Sequence, residues 1–111
     1  MTRTPTPEVI TRYFTVAAEG NIDALLSCFR EDAEVTDEGQ TYRGRDAIRR
    51  WREAATSKYS YTVEVIDSEA VGEDGYVVTS ELEGDFPGSP AQLKFRFSLR
   101  GGLIESLEIA P

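Results

Sequence analysis

The second half of the chain alternates apolar and polar residues, and this pattern constrains the fold more than any other feature. Between positions 92 and 100, an apolar side chain occupies nearly every second position, with polar or charged side chains between. Successive side chains of a strand point to opposite faces, so this segment is predicted to be a strand with one apolar face. Residues 59–65, 76–86 and 103–110 predict three more strands. Turn-forming residues at 72–75, 86–90 and 101–102 join the four strands into an antiparallel meander.

The first half of the chain repeats apolar residues at helical spacing instead. Gly20 is a typical end for a first helix, and Asn21 is a typical cap for a second, shorter helix. A short strand around Val35 is predicted next, and a third helix is predicted to begin after Gly44. The predicted apolar face of the first helix consists of Val9, Ile10, Tyr13, Phe14 and Ala17.

The predicted order of elements is α-α-β-α-β-β-β-β, which defines a single α+β domain over residues 1–111. Helices that are segregated from an antiparallel meander pack on one face of the sheet. We therefore expect a curved antiparallel sheet wrapped around the N-terminal helices, in the shape of a cone-shaped α+β barrel. The apolar interior of such a cone suits a small apolar molecule.

Composition excludes several classes of function. The formal net charge is −8, which argues against nucleic-acid binding, because phosphates are bound by clustered Lys and Arg. The one basic cluster, at residues 43–52, is interpreted as a solvated helix face. The chain has no histidine, which excludes Ser-His-Asp and Cys-His nucleophile systems and His-containing zinc sites. No nucleotide-binding glycine motif is present, so neither a metal nor a cofactor is expected.

The sequence also bears on the compartment. Cys28 is the only cysteine, so no internal disulfide can form, as is usual in a reducing compartment. No apolar run approaches the length of a membrane span, and the first residues lack the apolar segment of a signal peptide. We expect a cytoplasmic protein that does not contact a membrane.

One carboxylate is predicted to point into the apolar interior. If residues 33–37 form a strand, Ala33, Val35 and Asp37 share one face. A carboxylate that is moved into an apolar cavity becomes more basic, because desolvation disfavours its charged form. Such a group is suited to removing a proton next to a carbonyl. The alternative is that Asp37 only starts the turn at residues 38–40, since Asp before Gly is common in turns.

Short motifs in the first half carry a resemblance to a known superfamily. They are an aromatic-bearing first helix, Gly-Asn-Ile-Asp-Ala-Leu at 20–25, Phe-Arg-Glu-Asp-Ala at 29–33 and Tyr-Arg-Gly-Arg-Asp-Ala-Ile at 42–48. With the four predicted strands that follow, the chain resembles the NTF2-like superfamily, in its SnoaL-like and ketosteroid-isomerase-like branch. The resemblance covers nearly the whole chain and implies the same cone-shaped α+β fold. The fold does not fix the function, because it hosts enzymes and non-catalytic domains alike.

The resemblance implies roles for particular residues. In steroid isomerases of this branch, the general base is an Asp at the end of the short strand after the second helix, a place that Asp37 matches. Tyr13 matches a Tyr of the first helix that donates a hydrogen bond to the developing enolate oxygen. A second, protonated Asp completes that oxyanion site, and alignment on residues 95–97 places Leu93 there. Because a leucine donates no hydrogen bond, full steroid isomerase activity is not expected.

The remaining predicted site residues are mostly apolar. Tyr13 and Trp51 are each open to the alternative interpretation of a core residue. Glu105 shares a predicted face with Leu107 and Ile109 and is a second possible inward acid, with exposure near the chain end as the alternative. The predicted substrate contacts are Phe14, Trp51, Leu93, Phe95, Phe97 and Glu105.

Two functions follow from these observations. The first is a cofactor-free enzyme, an isomerase or cyclase, with Asp37 as base and Tyr13 as donor, acting on a small apolar carbonyl compound. The second is a non-catalytic ligand-binding or dimerisation domain. The resemblance also implies a homodimer formed through the outer sheet face that carries Lys94 and Arg96.

Overall fold

The structure is a computed structural model that describes residues 6–58 and 61–111, with the side chains of residues 56–58 left undescribed. The described residues form three helices and six strands. The helices are α1 (Glu8–Ala18), α2 (Ile22–Leu26) and α3 (Arg45–Lys58). The strands are β1 (Phe29–Asp37), β2 (Gln40–Arg43), β3 (Tyr61–Val71), β4 (Gly75–Gly84), β5 (Ala91–Arg100) and β6 (Leu103–Ala110).

The junction between the first two helices follows the predicted chemistry. Gly20 has a φ of +72°, a left-handed conformation that glycine adopts without a steric penalty. Asn21 caps α2, and its side-chain oxygen accepts a hydrogen bond of 3.1 Å from the backbone N–H of Ala24. This tight junction folds α2 back against α1 and fixes where β1 begins.

The strands form a six-stranded sheet in the order β2-β1-β6-β5-β4-β3. The α+β class is confirmed, and the sheet is mixed and curved but not closed. Strand β1 pairs with β6 in parallel, whereas the other neighbours are antiparallel. The parallel pair is possible because α3 and four strands lie between β1 and β6 along the chain, which leaves enough length for a crossover.

Three elements differ from the sequence prediction. Strand β3 continues to Val71, six residues past the predicted end at residue 65, and its pairing register shifts between Val65 and Asp67. Residues 40–43 form β2, where only a turn was expected before α3. Phe29 begins β1, whereas the helical spacing of Leu25, Leu26 and Phe29 predicts that it lies on the inward face of the second helix. Four residues are too few to display a clear alternation, so β2 is defined by its pairing with β1 rather than by its own pattern.

The core lies between the concave face of the sheet and the helices. Helix α1 contacts β3 and β6, and α3 contacts β1 and β2. Aromatic side chains dominate the contact, with ring centroids 5.2 to 5.9 Å apart in edge-to-face arrangements, which are the favoured geometry of aromatic pairs. The members of this aromatic cluster are Tyr13, Phe14, Phe29, Phe95 and Phe97.

Strand β3 forms one edge of the sheet and is covered least. The predicted alternation begins at residue 59, but residues 59 and 60 lie outside the described part of the chain. Val63 and Val65 face the same side as Leu82 and Ser80 on β4, yet they remain 39% and 47% exposed. Within the described ranges, we find no helix with the length and apolarity needed to cross a membrane.

Candidate active site

A cavity of about 950 Å³ lies between the helices and the concave face of the sheet. Its volume is at the upper end of the range that is usual for small-molecule sites. Apolar side chains from α1 and β5 form much of the wall, among them Phe14, Leu93 and Phe95. Exposed residues at the end of α1 and in the β4–β5 loop, such as Gly20 and Pro87, also border it and mark its mouth. The cavity is therefore largely apolar and open to solvent at one end.

Asp37 is part of the cavity wall and also precedes a turn. Its Cα pairs with Gln40, so Glu38 and Gly39 form a two-residue hairpin loop between β1 and β2. Their φ values of +53° and +77° are those of a turn whose two central residues are both left-handed. The two alternatives for Asp37 are therefore compatible, because the last residue of β1 both starts the turn and contacts the cavity.

A hydrogen bond from Trp51 fixes the orientation of the Asp37 carboxylate. The indole N–H of Trp51 donates to Asp37 Oδ2 over 2.9 Å. Helix α3 holds the indole in place, since Trp51 is only 6% exposed and packs beside Tyr42 with ring centroids 6.4 Å apart. Asp37 Oδ2 therefore accepts a hydrogen bond from the protein itself.

Tyr13 brings a phenol to the same cavity from α1. The side chain is almost fully buried, and its ring contacts Phe14, Phe29 and Phe97 edge-on. Burial raises the pKa of Tyr13 well above its usual value, and this effect outweighs the opposing influence of the Arg52 charge. The phenol is therefore neutral at physiological pH and can act as a hydrogen-bond donor to an oxygen inside the cavity.

Arg52 is a cavity residue that the sequence interpretation missed. Its side chain is only 7% exposed, its Nη1 donates to the Tyr61 hydroxyl over 3.2 Å, and its guanidinium carbon lies 5.4 Å from the centroid of the Trp51 ring. The burial of Arg52 corrects the interpretation of residues 43–52 as one solvated helix face. The helical spacing of the residues around Arg52 indicates this burial. Positions 48, 51, 52 and 55 recur at helical spacing, so Arg52 belongs to the face of α3 that Ile48 buries.

The structure brings most of the predicted site residues together. Tyr13, Phe14, Asp37, Trp51, Leu93 and Phe95 all border the cavity. Phe97 lies behind the wall, where it packs against Tyr13 and Phe14.

Glu105 is placed away from the cavity. The pairing register of β5 and β6 shifts between Ser98 and Leu99, and this irregularity changes the alternation next to Glu105. The Glu105 carboxylate lies 3.5 Å from Arg100 Nη1, in a partly exposed ion pair. In residues 6–58 and 61–111, no group of three or more acidic, Cys or His side chains is arranged to hold a metal ion.

The fold and the cavity define a class of small cone-shaped α+β proteins, and the sequence identifies the family within it. The SnoaL-like domain model matches residues 10–106, so the chain belongs to the SnoaL-like domain family. The expected SnoaL-like membership is confirmed by this match, and the structural relatives share the expected NTF2-like, ketosteroid-isomerase-like fold. No curated protein matches the sequence.

Three solved structures illustrate this similarity. A candidate polyketide cyclase from Sinorhizobium meliloti is 38% identical, with 95% of each chain covered and a TM-score of 0.90. A protein from Catenulispora acidiphila with a ketosteroid isomerase-like fold, solved in complex with trimethylamine, is 23% identical, with 96% of this chain and 87% of its own covered and a TM-score of 0.83. A computationally designed 17-OHP binder is 14% identical, with 99% and 92% covered and a TM-score of 0.81. The second and third structures bear on the fold alone.

Proposed function

We propose that the protein is a cofactor-free enzyme that removes a proton next to the carbonyl group of a small, largely apolar substrate. The observation that carries this proposal is the position of the Asp37 carboxylate in the wall of an apolar cavity that Tyr13 also borders. A base and a hydrogen-bond donor at one cavity are the two groups that enolate formation requires. The reaction class is isomerisation or cyclisation, and the similarity to a candidate polyketide cyclase supports the second.

The chemical step assigns one role to each group. Asp37 Oδ1 accepts the proton from the carbon next to the carbonyl, while the C–H electron pair forms a carbon–carbon double bond. The carbonyl π electrons move onto oxygen, where the Tyr13 hydroxyl donates a hydrogen bond to the developing negative charge. Trp51 keeps the carboxylate oriented through its bond to Oδ2. In a substrate with a neighbouring C=C bond, return of the proton from Asp37 to the far carbon of the dienolate gives isomerisation. In a substrate with a second carbonyl, the enolate carbon forms a bond to that carbonyl carbon, and the resulting alkoxide takes the proton back from Asp37, which gives cyclisation.

The test is deuterium exchange into a compact aromatic ketone, β-tetralone, whose protons next to the carbonyl are readily followed by NMR in heavy water. We expect the wild-type protein to accelerate exchange in proportion to its concentration. Asp37→Asn should lower the protein-dependent rate by about 100-fold or more, because a positioned general base contributes about that much. The amide oxygen can still accept from Trp51, so the variant should keep its fold and its affinity for the ketone.

Asp32→Asn is the matched control, since Asp32 is an exposed acid on the same strand and does not border the cavity. This variant should exchange the ketone at the wild-type rate. Equal rates for wild type and Asp37→Asn would contradict the catalytic proposal.

The second candidate function is a non-catalytic ligand-binding or dimerisation domain. The specific observation in its favour is Leu93, which borders the cavity at the position where the resemblance implies a second acid. With one donor fewer at the enolate oxygen, catalysis would lose on the order of 3 kcal/mol of stabilisation. If the wild-type protein binds β-tetralone but does not accelerate its deuterium exchange, that result would favour this second function.

The partner and location expectations complete the proposal. A homodimer would form through the outer sheet face, where Lys94 and Arg96 are exposed beside Thr79 and Val77 of β4. Light scattering coupled to size exclusion tests this, with a mass twice that of the 12.3 kDa chain as the expected result.

The free, buried thiol of Cys28 suits a reducing compartment, and we propose the cytoplasm.

A further inference from the structure

The cavity holds a positive charge in an otherwise acidic protein. Arg52 borders the cavity with 7% of its surface exposed, whereas the chain as a whole has a net charge of −8. Burying a guanidinium is costly unless hydrogen bonds or a negative charge compensate it. The guanidinium carbon lies 5.4 Å from the centroid of the Trp51 ring, within the range of a cation–π contact, so α3 and the indole help to position the group.

Tyr61 adds a second hydrogen-bond donor beside the Arg52 guanidinium. Its hydroxyl oxygen accepts the hydrogen bond from Arg52 Nη1 and therefore has its own proton to donate. Tyr61 borders the cavity as well, and its ring packs edge-on against Phe86 of the β4–β5 loop at a centroid distance of 6.3 Å. Arg52 and Tyr61 form a donor pair at the cavity that is distinct from the pair of Asp37 and Trp51.

We infer that the cavity selects ligands with a negatively charged oxygen on an apolar body, and that the donor pair of Arg52 and Tyr61 binds this oxygen. The inference rests on the proposed function and adds the substrate class. In a carbonyl substrate, the oxygen that becomes negatively charged is the enolate oxygen. Arg52 then donates the second hydrogen bond to this oxygen, which the apolar side chain of Leu93 cannot donate. A substrate that already bears a carboxylate or an acidic 1,3-dicarbonyl group meets the same requirement.

The other charges of the protein are mostly negative, so a preference for anionic ligands can be attributed to Arg52. The surface is acidic and repels anions at long range, so a general attraction of anions to this protein is not expected. Three carboxylates also border the cavity: that of Asp37, whose charge the indole N–H of Trp51 partly compensates, and those of the exposed residues Glu19 and Glu38. A preference for an anionic ligand must therefore come from a local cation in the wall.

The test compares two probes that differ only in charge, adamantane carboxylate and adamantane carboxamide, by titration calorimetry. We expect the wild-type protein to bind the carboxylate about ten-fold more tightly, as a charge-assisted hydrogen bond in a partly buried site allows. Arg52→Met should abolish this preference, so that the two probes bind with similar affinities, because the methionine keeps the apolar contacts but removes the charge. Arg50→Met is the matched control, since Arg50 is exposed on the same helix, and it should retain the full preference.

Each outcome separates the inference from the proposed function. Equal affinities for both probes in the wild type would overturn the inference and leave the apolar cavity as a binding site. A preference that survives Arg52→Met would overturn it as well. If Arg52→Met does not fold, Arg52→Lys decides: it keeps the charge but loses the planar fork, and it should retain part of the preference. Failure of the wild type to bind either probe while it still accelerates exchange of β-tetralone would overturn this inference alone, and failure in both assays would contradict the proposed function as well.

Discussion

Tyr13 shows how a single buried residue links stability to chemistry. Burial is the main cause that raises its pKa in the folded protein, so the fold accommodates the neutral phenol and not the phenolate. The same shift keeps the hydroxyl protonated at physiological pH, and the hydroxyl can therefore donate a hydrogen bond.

This pKa shift predicts a loss of stability at alkaline pH. Above the usual pKa of 10.0, the unfolded state loses the Tyr13 proton while the folded state keeps it, so the free energy of unfolding falls as the pH rises. At about one pH unit above that value the contribution is about 1.4 kcal/mol. Tyr13→Phe removes this contribution, and urea unfolding across that pH range should give a curve that falls less steeply than the wild type's. Parallel curves for the two proteins would contradict the burial of an ionisable phenol.

The direction in which a side chain points can be predicted from the sequence only where strand alternation or helical spacing determines it. Alternation along β1 indicates that Asp37 shares a face with Val35, and Asp37 does border the cavity. The hydrogen bond from Trp51 joins residues on a strand and a helix, and no local pattern encodes such a distance. Arg52 was misinterpreted because charge was given more weight than its helical spacing after Ile48.

At the scale of elements, the β1–β2 hairpin positions the proposed base. The turn places Glu38 at a φ of +53°, a conformation that costs an L-residue with a long side chain on the order of 1 kcal/mol. Glu38 borders the mouth of the cavity, so a suboptimal turn residue is tolerated at the edge of the candidate site.

Replacing Glu38 should therefore stabilise the protein. Asn followed by Gly is the preferred pair for this turn type, and we expect Glu38→Asn to raise the free energy of unfolding by about 0.5–1 kcal/mol. Gly39→Ala should act in the opposite direction by about 1 kcal/mol, because Gly39 has a φ of +77°. Urea unfolding of the two variants checks both signs, and destabilisation by Glu38→Asn would rule out the assigned turn.

The elements that the sequence predicted best are those with a long, regular period. The four strands after α3 alternate over many residues, and the sequence predicts each of them. Strand β2 has only four residues, and the sequence does not predict it. The parallel pairing of β1 with β6 joins segments about 70 residues apart, and the pattern of either strand alone does not encode its partner over that distance.

At the scale of the whole molecule, the helices cover only part of the curved sheet. They seal the core near Ile48 and Phe29, while the β3 end of the concave face stays partly open. Val63 both borders the cavity and is 39% exposed, so the cavity and its mouth result from incomplete coverage of the sheet. The class of fold follows from the sequence pattern, but the volume of this space depends on how far the sheet curves away from α1.

The central claim is that this space binds a small apolar carbonyl compound next to Asp37. Trp51 is the single tryptophan of the chain, it borders the cavity, and its indole N–H contacts the Asp37 carboxylate. The most direct measurement is a titration of Trp51 fluorescence with β-tetralone, in the wild type and in Asp37→Asn. We predict a saturable change in emission in both proteins. A signal that does not change, or that changes linearly without saturation in both, would contradict the account.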